Sequence, residues 1–170
     1  MIIDVMESVT KRTCTYLESE FKINAIKNNS ESGKLESIAL LDMTTLIVVS
    51  TANVNLLVIF SFEKPLINWI FHEMTDGLGI KDYEIDRYRK AAAGDVINTV
   101  LGNSTIDLEG SEKKEIHITP QKILDNVKTI QEMGYSMFYA QHLDTPLGKM
   151  TIFFVGSDEL FSKNFCVVNW

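Results

Sequence analysis

At helical spacing, Ala92, Ala93, Val96, Ile97, Val100 and Leu101 fall at i, i+1, i+4, i+5, i+8 and i+9 and make one apolar stripe. Asp95 and Asn98 lie on the opposite face, three residues apart, and so are surface neighbours able to act on the same object. Ala91 precedes Asp95 by one turn and Gly102 follows Asn98 by one turn, so small residues frame the two polar groups where an ordinary solvated face carries Lys, Glu and Gln. The pattern predicts an amphipathic helix, entered through the charged stretch Asp82 to Arg89 and finishing near Gly102, with Gly102-Asn103 as its C-cap. Gly94 breaks the local rule, because glycine inside a helix costs about 1 kcal/mol relative to alanine. Such a breach marks close packing or a functional site.

Two more helices are predicted upstream. Val5, Met6, Val9, Tyr16 and Leu17 share one side of a helix from about residue 3 to residue 20. Pro65 suits the first turn of another, in which Leu66, Ile67, Trp69, Ile70, Phe71 and Met74 are apolar and which Gly77-Leu78-Gly79 ends. Between them the pattern turns to β-type. Phe21 to Ile26 predicts a short strand and Lys27 to Gly33 a polar loop. Ile38 to Leu41, Leu46 to Val49 and Leu56 to Phe60 predict three consecutive antiparallel strands.

Downstream, Ser104 to Thr119 is polar, with Ile106, Leu108, Ile116 and Ile118 as its apolar positions, and sets no element. Thr119-Pro120 predicts the cap of a short helix over Gln121 to Ile130. Tyr135 to Gln141 and Met150 to Val155 read as a β-hairpin with a longer loop at Asp144 to Gly148, and Phe165 to Val168 as a last strand at a subunit contact. The order helix, strands, helices, strands predicts one α+β domain over residues 1–170, a largely antiparallel β-sheet packed with amphipathic helices.

Composition narrows the partners. The chain is 45% hydrophobic, with 16 Lys+Arg against 23 Asp+Glu and a net charge of −7. That balance argues against a nucleic-acid surface and an anionic membrane, leaving a protein or a small molecule. No apolar stretch reaches spanning length and no signal peptide is indicated, so Cys14 and Cys166 read as buried thiols in a reducing cytoplasm.

Standard chemistry is mostly absent. There is no G-x-S-x-G elbow and no phosphate-binding G-x-x-x-x-G-K run. His72-Glu73 begins like a zinc-protease motif but has Asp76 where a second histidine belongs. His117 and His142 have no companions at metal-ligand spacing and read as solvated or hydrogen-bonded imidazoles, so no metal or cofactor is expected in this chain.

What remains is Asp95-x-x-Asn98. The run Gly94-Asp95-Val96-Ile97-Asn98, Gly102-Asn103 beyond it, and Pro120 after 21 intervening residues resemble the signature of the CheC/CheX/FliY chemotaxis phosphatases. In those proteins an acid-x-x-Asn helix, usually Gly-Glu-x-x-Asn, is followed by a proline at a fixed distance. The coarse element order is also similar over nearly the whole length. Asn98 alone among the asparagines has an acid three residues before it, and a single site resembles CheX rather than the two-site CheC arrangement.

The resemblance implies a CheC/CheX-like fold, a homodimer, and a phosphatase acting on the aspartyl-phosphate of a CheY-like response-regulator receiver domain. It gives Asn98 the orientation of the attacking water and Asp95 a bond to a receiver lysine. It leaves magnesium to the receiver. Ala91, Gly94 and Gly102 would let the helix approach that partner closely. Asp95 stands where the family usually has Glu, a reach shorter by about 1.5 Å, and Ala91 where relatives often carry Asp or Ser. A displacement of that size can cost about a hundredfold in rate. Two other readings are therefore carried: a weak or inactive receiver-binding and dimerisation module of the same fold, and a dimeric structural domain that uses neither residue.

Overall fold

In a computed structural model, residues 2–51, 54–109, 116–131 and 136–162 are described. In chain order the elements are α1 (Ile2–Phe21), β1 (Ile26–Lys34), β2 (Ser37–Ala39), β3 (Met43–Thr51), β4 (Val54–Phe62), α2 (Lys64–Thr75) and a 3₁₀ turn (Asp82–Glu84). They continue with α3 (Ile85–Glu109), β5 (His117–Ile118), β6 (Lys122–Asp125), β7 (Thr129–Gln131), β8 (Ser136–Thr145), β9 (Gly148–Ser157) and α4 (Asp158–Ser162). The main sheet runs β1-β8-β9-β4-β3, and β5 and β6 both pair with the outer edge of β3, while β2 and β7 form a separate ribbon. All described pairings are antiparallel, the α+β architecture that the element order predicts.

The two faces of the sheet have different covers. Val58, Phe60 and Phe62 of β4 and Ile152 and Phe154 of β9 pack with Met6, Val9 and Leu17 of α1, Leu66, Ile67 and Ile70 of α2, and the stripe of α3. The intervening Ile59, Phe153 and Val155 face the other way, onto Leu35, Ile38 and Leu40 around β2. Central strands covered on both faces read as unbroken apolar runs, which is why β4 and β9 are plain in the sequence. Each fully buried phenylalanine among them contributes about 1.5–3 kcal/mol.

The predicted stripe of α3 is buried throughout: Ala92, Ala93, Val96, Ile97, Val100 and Leu101 are each at most 3% exposed. The helix does not stop at Gly102, however. It continues to Glu109, and Gly102 is not among the glycines with positive φ, so the predicted C-cap is an interior turn instead. Tertiary contacts carry it on. Asp107 accepts from Arg12 Nε at 2.8 Å and Ser8 Oγ at 3.2 Å on α1, and Ser104 is buried, its Oγ bonded within the helix to the Val100 carbonyl at 2.8 Å.

Five further predictions are corrected. Lys27 to Gly33 is not a loop but most of β1, an edge strand paired with β8 and bulged between Lys27 and Ser30. Its side chains are almost all exposed, so it has no apolar alternation to read, and backbone pairing alone makes it a strand. Phe21 closes α1 rather than opening a strand. Lys22 is left-handed at φ 56°, with Lys22 N–H on the Glu18 carbonyl, an αL stop, and Ile23 N–H on that of Leu17.

Gln121 to Ile130 is not a helix: β6 takes the free edge of β3 and β7 pairs with β2, so available partners override the capping signal. That pairing also removes β2 from the predicted three-strand run, of which β3 and β4 remain adjacent. The β8–β9 connection is a two-residue turn, Pro146-Leu147, not a longer loop. Pro65 stands in the first turn of α2 as predicted, and Asp42 Oδ2 accepts the Lys64 N–H there at 2.8 Å. Cys166 and the predicted strand Phe165 to Val168 lie outside the described residues.

Candidate functional site

Burial of the α3 stripe turns the opposite face outward. Ala91, Asp95 and Asn98 are exposed and Gly102 is half-exposed, with open space where a Cβ would stand. Residues one turn apart line up, so these four make a single outward row. Among the described residues, no hydrogen bond within the chain engages the Asp95 carboxylate or the Asn98 carboxamide. Both polar ends are exposed, where an external partner can reach them.

Gly94 is the exception among the predicted small residues. It is buried and faces this chain's own Gln121, whose Nε2 would lie 3.0 Å, and Cγ 3.3 Å, from a Cβ at that position. Its missing side chain makes room for an internal neighbour instead of an incoming protein.

Two flanks that the sequence does not reveal border the row. On one side α1 runs antiparallel to α3, with Ser8 and Arg12 against Asp107 and Tyr16 against Thr99. Burial pushes the Tyr16 hydroxyl above its ordinary pKa; its hydrogen bond with Thr99 opposes this, while the negative charges of Glu20 and Asp95 reinforce it. A neutral phenol therefore stands beside Asp95, braced edge-on against the Phe21 ring at 5.5 Å. On the other side is the β5–β6 connection. Pro120 has no N–H to give the ladder, and Thr119 supplies both bonds to β3: its N–H donates to the Val48 carbonyl and its Oγ1 accepts the Val48 N–H, each at 3.0 Å. The ladder resumes at Lys122 opposite Leu46, leaving Gln121 directed at α3. Tyr16 was legible only as part of an apolar stripe, and Gln121 carried no signal at all.

The row is an exposed helix face. Three recesses among the described residues, of about 430, 270 and 240 Å³, have no member of the row in their lining. His142 is the hydrogen-bonded imidazole predicted, with Nδ1 3.0 Å from Thr151 Oγ1 and Nε2 3.4 Å from Glu31. Cys14 is half-buried, and burial raises its thiol pKa. Among the described residues no helix is long and apolar enough to cross a membrane.

No protein-family model matches the chain, and no curated protein sequence matches it significantly. Solved structures do match its fold. The chemotaxis protein CheX from Desulfovibrio desulfuricans superposes with a TM-score of 0.75 at 19% identity, over 90% of this chain and 99% of that one. A CheC-like superfamily protein from a Shewanella species gives 0.74 at 18%, over 92% and 99%. CheX from Borrelia burgdorferi, solved in complex with CheY, BeF₃ and Mg²⁺, gives 0.61 at 17%, over 89% and 96%. The chain thus has the fold of the CheX/CheC-like chemotaxis proteins, as its motif implied.

Proposed function

We propose that this protein accelerates hydrolysis of the aspartyl-phosphate on a CheY-like receiver domain. The observation that carries the proposal is the outward row of α3, with an exposed carboxylate and carboxamide that have no hydrogen-bond partner among the described residues, on a fold shared with a CheX that is solved bound to CheY. Phosphoryl hydrolysis needs positioning and charge stabilisation more than covalent chemistry, so one inserted amide and one docking carboxylate suffice. The Asn98 carboxamide both donates and accepts, and it orients the attacking water in line with the phosphorus. Asp95 accepts from the ammonium of a receiver lysine and sets the register of docking. Ala91 and Gly102 keep the row low, so the helix can enter the receiver's site. Magnesium belongs to the receiver. We also place the protein in the cytoplasm as a homodimer, by the same resemblance.

The test is phosphate release from receiver domains of the same genome, phosphorylated in vitro, with this protein and with Asn98→Ala. Acceleration is expected, and loss of the amide is expected to remove about a hundredfold of it. Asn98→Ala is also expected to raise stability by about 0.5 kcal/mol, because asparagine is a weak helix former with no contact to lose here. A receiver accelerated equally by both proteins would sink the proposal.

The shorter Asp95 supports a second reading, a receiver-binding module with little turnover. Under it a receiver binds without faster hydrolysis, and Asp95→Glu restores the rate.

A further inference from the structure

We propose that Gln121 is a positioning residue for the Asn98 carboxamide, an inference that rests on the phosphatase reading above. Gly94 has no side chain, and the Gln121 carboxamide takes the place of one: Nε2, Cγ and Cδ would stand 3.0, 3.3 and 3.6 Å from a Cβ at position 94. A side chain at 94 is the i−4 neighbour of Asn98, with Cβ atoms about 5–6 Å apart. Side chains on a helix lean toward its N-terminus, so that of Asn98 reaches back over the turn holding Gly94. The two carboxamides therefore converge on one patch.

Gln121 is held there from both sides. Thr119 is bonded twice to Val48, Pro120 fixes its own backbone, and β6 begins at the next residue, with Asp125 tied to Lys90 of α3 at 3.3 Å. Among the described residues neither carboxamide has a hydrogen-bond partner in the free chain, and neither is walled off from the surface. When a docked receiver excludes water, Gln121 Oε1 accepts from Asn98 Nδ2–H. That bond selects the amide orientation in which Asn98 Oδ1 faces the attacking water and accepts a hydrogen bond from its O–H. The glycine before the acid leaves this room, since a Cβ there would press on Gln121 at 3.0–3.3 Å and shift it.

The experiment measures kcat and KM on a receiver that the wild-type protein dephosphorylates, with Gln121→Ala, Gln121→Met and Gln121→Glu beside the Asn98→Ala control. Methionine fills the space without a hydrogen bond, and glutamate keeps the acceptor. Alanine and methionine are expected to lower kcat about tenfold with KM within about twofold, and glutamate to recover most of kcat. Wild-type kcat in Gln121→Met would overturn the proposal and reduce the contact to packing. If Asn98→Ala also leaves the rate intact, it is the phosphatase reading that has failed. A second readout uses the receiver-bound protein: the Asn98 Nδ2 proton pair in ¹H–¹⁵N spectra of the complex is expected to shift in Gln121→Met, and an unmoved pair also overturns the inference.

Discussion

Gly94→Ala sets the intrinsic preference of α3 against the space that Gln121 occupies. Alanine is favoured over glycine by about 1 kcal/mol in a helix interior. The added methyl would lie 3.0 Å from Gln121 Nε2 and 3.3 Å from its Cγ, closer than ordinary van der Waals contact. Pushing Gln121 off its rotamer costs about 0.5–1.5 kcal/mol, so in the wild-type background gain and cost nearly cancel. Gln121→Ala removes the obstacle and lets the full helical gain appear. The double-mutant cycle is thus expected to show a coupling of about 0.5–1.5 kcal/mol between the two positions. At this chain length each kcal/mol moves Tm by about 2–4 °C. Scanning calorimetry of the four proteins should show almost no shift for Gly94→Ala alone and a rise of about 2–4 °C in the Gln121→Ala background. Equal shifts in both backgrounds would refute the contact, and with it the explanation of why position 94 is glycine.

Other positions give independent tests. Gly148 has φ +123°, and a Cβ there would stand 2.8 Å from Glu63 Oε2, which already accepts the Lys149 N–H at 2.7 Å. Gly148→Ala is expected to cost more than about 1 kcal/mol in urea unfolding, and a neutral substitution would contradict the turn geometry. Asp42→Ala should cost about 1 kcal/mol, because Asp42 accepts the first N–H of α2 and pairs with Lys128 at 3.0 Å. Hydrogen exchange should then quicken first at the start of α2. The Arg12 guanidinium holds the Asp107 carboxyl below its ordinary pKa of 3.8, with Ser8 adding a hydrogen bond. A lowered folded pKa gives stability that is present above 3.8 and lost as pH falls through the folded value. Asp107→Asn should flatten the stability–pH curve in that acid range, and an unchanged slope would mean that the α1–α3 pair does not hold in solution.

Local periodicity carries a prediction only as far as burial is one-sided or complete. The stripe of α3, the apolar face of α1, the Pro65 start of α2 and the runs of β4 and β9 were all legible, because each element's own residues encode which side faces the core. Asp95 and Asn98 were legible for the same reason: with the stripe known, the outward row follows from helical geometry.

Tertiary structure decided the rest. β1 is a strand only because β8 lies beside it, and its exposed side chains hold no trace of that. Gln121 to Ile130 has a helix start signal and still forms β6 and β7, since the open edges of β3 and β2 offer a ladder that an isolated segment lacks. Helix α3 passes Gly102 because Asp107 finds Arg12 and Ser8 on α1. Tyr16 and Gln121 reach the site from residues far from it in sequence, and Gly94 looked like an outward-facing gap until Gln121 was found to fill it. The sequence by itself determined the faces of its helices and the two polar groups presented on one of them. Which strands pair, how far α3 extends and what stands beside Asn98 depend on contacts between distant segments, and those exist only once the chain has folded.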